Sequence, residues 1–215
     1  MIVIVDYGMG NLRSAQKGFE EAGFSAVISD DPADIEKADA VVLPGVGSFK
    51  DCYEGLVSRG MVEPLRAAAS SGKPFLGICV GMQLLFERGE EGEGSPGLGI
   101  LEGSVVRFPA DQMNGLKVPH MGWNQLKQNP ERPCPLLSGP DATPYMYFVH
   151  SYFPKPVSDD VIWATCTHAI EFPAIVGRGN VFGTQFHPEK SQREGIALLA
   201  AFGKRVKGSP CTSIC

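Results

Sequence analysis

Cys79 stands in Gly77-Ile78-Cys79-Val80-Gly81, directly after the apolar run Pro74-Phe75-Leu76 and directly before Met82-Gln83-Leu84-Leu85-Phe86-Glu87. A cysteine between glycines at a strand-to-helix junction is laid out as a nucleophile on a sharp turn. The turn strains its central residue and leaves no room for neighbouring Cβ atoms. The expectation is a thiol held out and exposed, with a helix starting at Val80 that aims free N–H groups at the sulfur, where they favour negative charge. The plain alternative is a small buried core cysteine. Far downstream, Gly183-Thr184-Gln185-Phe186-His187-Pro188-Glu189-Lys190 tips the balance by supplying a histidine and a carboxylate two residues apart. A residue before proline is pushed into extended geometry, and residues two apart in extended chain point to one side, so Glu189 can hold one nitrogen of His187 and leave the other for the thiol. Cysteine, histidine and acid together make a hydrolytic triad.

The elements that must position these groups come from an α/β pattern. Ile2 to Val5, Val27-Ile28, Ala40 to Leu43 and Phe75 to Cys79 read as strands, separated by helical faces such as Leu12, Ala15, Phe19 and Ala22. Helices are expected within Ser48 to Val57, around Pro64 to Ser70 and from Val80 onward. This alternation predicts an open, mostly parallel central sheet with helices on both faces. Ligands in such folds bind beyond the carboxyl ends of the strands, so the loops Asp6-Tyr7-Gly8, Pro44-Gly45-Val46-Gly47 and the Cys79 turn are expected to face one cleft. Glu90 to Gly99 reads as an exposed loop. The strands after it are shorter: Ser104 to Phe108, Tyr145 to Phe153, Val161 to Thr167, Ala174 to Val176 and Asn180 to Phe186. A last helix carries Leu198, Leu199, Phe202 and Val206.

The chain has 215 residues and a formal net charge of −5, with no Lys/Arg cluster. One domain over 1–207 with a mobile end at 208–215 is expected, acting on a small polar metabolite, without nucleic acid or membrane among its partners. The first strand follows directly on Met1, with no basic region and too short an apolar run for a signal peptide. Six cysteines without a CxxC pair or a zinc pattern indicate reduced thiols and a cytoplasmic location. Cys52, Cys134 and Cys166 read as packing or surface residues. His120 and His150 read as hydrogen-bonded structural residues, and His168 as part of a turn. Gly8-Met9-Gly10 lacks the third glycine and the acid of a dinucleotide site. No cofactor and no metal is expected.

The cysteine turn and the His-Pro-Glu segment together resemble the class I (triad) glutamine amidotransferases, over essentially the whole chain. Pro44-Gly45-Val46-Gly47-Ser48-Phe49, Pro119-His120-Met121-Gly122-Trp123-Asn124 and Tyr147-Phe148-Val149-His150-Ser151-Tyr152 are similar to the branch of that family that serves imidazole glycerol phosphate synthases. The resemblance implies a flavodoxin-like sheet, hydrolysis of glutamine through a thioester on Cys79, and transfer of ammonia to a (β/α)₈ cyclase as heterodimer partner. For that reaction the Val80 N–H is expected to meet the oxyanion, and the Gly45-Val46-Gly47 loop, whose glycines permit a peptide flip, to offer the Val46 N–H as second donor. The resemblance places Gly47, Gln83, Ser151 and Tyr152 around the substrate, and Trp123, Asn124 and Lys190 at the partner interface. From the residues alone Gln83 is equally an exposed helix polar residue, Tyr152 a strand aromatic and Trp123 ordinary core. A glutaminase serving another synthase, a general cysteine hydrolase and a docking module with an idle triad stay open as alternatives.

Overall fold

The computed structural model describes residues 1–91, 94–137 and 142–206. The expected mobile end at 208–215, with Cys211 and Cys215, lies outside them. The chain begins with β1 (Ile2–Val5), α1 (Leu12–Glu21), β2 (Ala26–Ser29), α2 (Pro32–Lys37), β3 (Ala40–Gly45), α3 (Phe49–Ser58), α4 (Val62–Ser70), β4 (Phe75–Cys79) and α5 (Val80–Gln83). Then follow β5 (Phe86–Gly89), β6 (Ser95–Pro96), β7 (Leu101–Arg107), β8 (His120–Gln125), β9 (Lys127–Gln128), β10 (Tyr145–His150), β11 (Tyr152–Pro156), β12 (Ile162–His168), β13 (Ile170–Arg178), β14 (Val181–Thr184) and α6 (Gln192–Gly203).

The main sheet has the order β2-β1-β3-β4-β14-β13-β12-β9. Its first five strands run parallel and the last three are joined antiparallel. β1, β3 and β4 are buried along their whole length, as strands covered on both faces must be, which is why they read as unbroken apolar runs. The connection from β1 to β2 steps one way across the sheet and those to β3 and β4 step the other way. Right-handed crossovers therefore put α1 on one face and α2, α3 and α4 on the opposite one. The packing agrees, since α1 lies against α6 and α2 against α4. Phe19 and Phe202 meet between α1 and α6, with ring centroids 6.0 Å apart.

Two smaller sheets flank this layer, β10-β8 and β11-β7-β5-β6. They account for two departures from expectation. The helix that starts at Val80 stops at Gln83, one turn long, because Phe86 and the residues after it pair with β7. Tyr145 to Phe153 is two strands rather than one, broken at Ser151, and its halves join different sheets. A helix not foreseen, α2, has Asp31 as its N-cap, accepting from the Ala33 N–H, and Pro32 in its first turn.

Candidate active site

β3, β4 and β14 are neighbours in the parallel part of the sheet, and their carboxyl ends deliver Val46-Gly47, Cys79 and His187 to one place. In register, Gly45 lies beside Cys79 and Thr184 beside Ile78. Cys79 itself has φ 56° and ψ −113°, a left-handed conformation that a side chain rarely adopts. Its neighbours make that turn possible by lacking side chains. A Cβ on Gly81 would stand 1.8 Å from the Leu43 carbonyl oxygen, and one on Gly77 would stand 2.6 Å from the Gly81 oxygen.

The thiol is not held out on the open surface as expected. Cys79 is only 4 % exposed and sits on the wall of a cavity of about 310 Å³. That cavity is lined by Val46, Gly47, Cys79, Val80, Gln83, Glu91, Pro119, Val149, His150, Ser151, Tyr152 and His187, so every residue expected at the oxyanion hole and around the substrate is there. Of the three strand-end loops, Asp6-Tyr7-Gly8 does not line it. Its Tyr7 hydroxyl donates to the Pro44 carbonyl at 2.8 Å and so supports the neighbouring loop from beneath. In that loop Gly47 has φ 91°, and the Val46 carbonyl accepts from the Cys52 thiol at 3.3 Å. Cys52 is thus buried beside the site, and burial pushes its thiol up to about 11.

Glu189 stands behind His187, with its Oε1 2.8 Å from Nδ1 and both side chains almost wholly buried. Nε2 on the far side of the ring has no hydrogen-bond partner. Burial alone would lower the imidazole pKa, but the Cys79 sulfur and the Glu189 carboxylate outweigh it and raise it to about 10. The Ser191 hydroxyl donates to the His187 carbonyl and accepts from the Tyr147 N–H, tying this turn to β10. Val80 opens α5 and its N–H is among those that an α-helix leaves without an internal partner. With a single turn behind it, α5 contributes local N–H groups rather than a sizeable macrodipole.

Gln83 is buried, and both hydrogens of its amide are spent inside the protein, on the Tyr152 carbonyl at 3.0 Å and on Oε1 of Gln185 at 3.1 Å. Only its oxygen is left for a ligand. Trp123, Asn124 and Lys190 lie outside the cavity. Trp123 and Lys190 are exposed, whereas the Asn124 side chain turns inward, donating to the Thr167 carbonyl and lying 3.1 Å from Nε2 of His120. Asn124 is therefore occupied within the chain, on the side of β8 opposite Trp123.

His120 and His150 are hydrogen-bonded as expected, 3.0 Å from each other, and burial lowers their pKa values to about 4 and about 3. His168 is not in an ordinary turn. It ends β12, stacks on His120 at 4.2 Å and lies 2.9 Å from the Lys117 carbonyl. Among the described residues no group of three His, Cys, Asp or Glu side chains is disposed to hold a metal ion, this cluster included. Nor is any helix there long and apolar enough to cross a membrane.

Sequence reasoning missed Glu91, Pro119, His150 and Gln185 as parts of the site. Glu91 belongs to the Gly/Glu-rich segment read as exposed loop, but its carboxylate accepts from the Phe49 N–H at 2.6 Å and so closes the N-terminus of α3 beside Gly47. For Gln185 a signal existed, since it is the residue two before His187 in a strand that must end beside Cys79.

A strained cysteine turn at the end of β4, facing a Glu-backed histidine at the end of β14 across an α/β sheet, defines a triad hydrolase of the amidotransferase kind. The family model of class I glutamine amidotransferases matches residues 3–206, and the chain belongs to that family. The imidazole glycerol phosphate synthase subunit HisH of Syntrophotalea carbinolica is 54 % identical over 206 residues, covering 94 % of this chain and 99 % of that one. The protein of the same description from Geobacter sulfurreducens is 50 % identical over 206 residues, covering 94 % and 98 %. Among solved structures, a glutamine amidotransferase superposes with a TM-score of 0.73 at 21 % identity, covering 96 % of this chain and 99 % of that one, which speaks for the fold.

Proposed function

We propose that this chain is the glutaminase subunit of an imidazole glycerol phosphate synthase, releasing ammonia from glutamine for a (β/α)₈ cyclase in the reducing cytoplasm. The observation that carries it is the convergence of Cys79, His187, Val46, Gly47, Gln83, Ser151 and Tyr152, from separate stretches of sequence, on one cavity large enough for an amino acid. The high identity to subunits of that description over nearly the whole of both chains supports this branch over glutaminases that serve other synthases.

The chemistry follows from the geometry. Cys79 attacks the side-chain carboxamide carbon as a thiolate, its proton already held on Nε2 of His187, which has no other partner. The oxyanion that forms is met by the Val80 N–H and by the N–H of Val46 once the loop presents it. His187 then gives its proton to the departing nitrogen, and ammonia leaves a thioester. Water that yields a proton to the same imidazole cleaves the thioester; glutamate is released, and the imidazolium returns the proton that restores the sulfur to its resting state. Glu189 fixes the tautomer throughout and stabilises the imidazolium. The Gln83 oxygen takes the α-ammonium group of glutamine, and Ser151 and Tyr152 bound the wall next to it.

A missing oxyanion donor costs about 3 kcal/mol, so the orientation of the Val46 peptide is the natural point of control. Partner binding that turns this N–H inward would switch a nearly silent glutaminase on. Ammonia in neutral water is mostly protonated and no longer a nucleophile, so a docked cyclase is chemically required. Trp123 and Lys190 are the exposed candidates to meet it.

The test is glutamate release by the purified chain, alone and with a cyclase subunit carrying its ribotide ligand, with Cys79→Ala as blank. A large Cys79-dependent rise only with the cyclase is expected. No rise would leave a glutaminase that serves some other synthase.

A further inference from the structure

Gln185 is wholly buried at the end of β14, one residue beyond the Thr184–Ile78 pair and therefore alongside Cys79. Its Nε2 lies 3.9 Å from the Cys79 sulfur, at the outer reach of an N–H contact to so large an atom, and its Oε1 accepts from Gln83 at 3.1 Å. Which end of an amide is nitrogen is settled by the bonds around it, and here a chain of obligatory donors settles it. The Tyr152 carbonyl can only accept, and it faces both Nδ1 of His150 at 2.8 Å and the Gln83 amide at 3.0 Å. Gln83 must therefore turn its nitrogen to Tyr152, and the second hydrogen of that nitrogen goes to Gln185. Gln185 in turn can only present N–H to the sulfur. The same carbonyl fixes the histidines: Nδ1 of His150 carries a proton, its Nε2 accepts from Nδ1 of His120, and Nε2 of His120 accepts from Asn124.

We propose that Gln185 acts on the nucleophile directly: its fixed N–H stabilises the Cys79 sulfur as negative charge gathers there, and its oxygen ties that donor to Gln83 and hence to the bound substrate. This rests on reading Cys79 as the nucleophile and deepens it. The sulfur's other near neighbour, the Val149 carbonyl at 4.0 Å, is an acceptor and can serve only the neutral thiol. The two contacts pull the sulfur in opposite senses, and the donor gains as the thiol proton passes to His187. The contact to Gln185 shortens at that moment. Because Gln83 holds the far end of the amide, a substrate that moves Gln83 also moves the donor at the sulfur. The remaining titratable groups around Cys79 are His187 across the cavity, Tyr7 and Cys52 beneath it, and Glu91 and His150 on its walls. None of them donates a neutral hydrogen bond of fixed direction to the sulfur.

Two variants separate the halves of this role. Gln185→Glu keeps an acceptor for Gln83 but faces the sulfur with oxygen. Gln185→Met fills a similar volume and removes both bonds, and it decides the matter if the glutamate variant fails to fold. Alkylation of Cys79 by iodoacetamide, followed on its own peptide by mass spectrometry across pH, reads the sulfur. Steady-state kinetics of the complex with the cyclase read kcat and KM for glutamine. In both variants the alkylation midpoint should rise by about one pH unit and kcat should fall about ten-fold or more, the scale of one hydrogen bond to a charged group. KM should rise in Gln185→Met and stay near wild type in Gln185→Glu. An unmoved alkylation midpoint in the folded variants, with kcat within about two-fold of wild type, overturns the proposal. If Cys79→Ala keeps full glutamine turnover in the complex, the nucleophile reading itself fails, an outcome distinct from the behaviour of the Gln185 variants.

Discussion

His187 and Glu189, two residues apart around Pro188, meet at 2.8 Å through Nδ1 and Oε1 with both side chains almost fully buried, while Nε2 of the same ring is left without a partner. An imidazole so held has one nitrogen committed and one available, which is what a group that takes and returns a proton at a fixed point requires. Glu189→Gln keeps the shape but removes the charge that holds the tautomer and steadies the imidazolium. Glutamine turnover by the complex should fall about 10²- to 10⁴-fold in kcat with little change in KM. A KM effect alone would mean that Glu189 serves binding.

The same pair and the inner histidines bend the pH dependence of stability in opposite directions. His187 is raised from 6.5 to about 10, so the folded state holds its proton more tightly than the unfolded chain. Its contribution is complete below 6.5 and is lost as pH rises through about 10. His150 is lowered from 6.5 to about 3, so the unfolded chain binds the extra proton instead, and stability falls as pH drops from 6.5 toward 3. One proton of difference gives a slope of about 1.4 kcal/mol per pH unit across that acid window. Urea unfolding from pH 4 to pH 7 should show His150→Gln losing about that much slope relative to wild type; parallel curves would mean that His150 titrates normally.

Among the described glycines Gly81 is the least able to accept a side chain. A Cβ there would come within 1.8 Å of the Leu43 carbonyl oxygen on β3, the strand that carries Val46 to the cavity. Gly81→Ala should therefore cost about 3 kcal/mol or more. Its remaining folded fraction should be inactive, because β3 and the Cys79 turn must separate to make room. Thermal melts beside a turnover assay check both, and a stable, active variant would remove the close approach as the reason for glycine.

Much of this was legible in the sequence where cause and effect lie close along the chain. The parallel strands announced themselves as β-branched runs, and the Cys79 turn and the His187-Pro188-Glu189 pair are local geometry. What was hidden depends on partners far away. Leu84, Leu85 and Phe86 have spacing that suits a helix or a buried strand equally, and only pairing with β7 decides for the strand. The break at Ser151 exists because two different sheets claim the segments on either side of it. Asn124, expected at the partner interface, is hydrogen-bonded to His120 on its own strand and to Thr167 on β12, far along the chain. Glu91 gains its place from Phe49, at the start of a helix that no local pattern brings to it.

Trp123 offers the last test, because it joins the surface to the site. On the β8-β10 ribbon Met121, Trp123 and Tyr145 are exposed, and Trp123 is directly opposite Tyr147, with ring centroids 6.1 Å apart. The strand that carries Tyr147 continues into Val149 and His150, which line the cavity beside Cys79. A cyclase seated on Trp123 would therefore bear on a ribbon one of whose strands passes the nucleophile. Trp123→Ala should leave glutamine hydrolysis measurable in the complex but release more than one glutamate for each ammonia captured by the cyclase. Paired assays of glutamate and cyclase product on one reaction mixture give the ratio. A ratio that stays at one would show that Trp123 has no part in sealing the ammonia path, and the exposed ring would then be only a surface aromatic set edge-on to Tyr147.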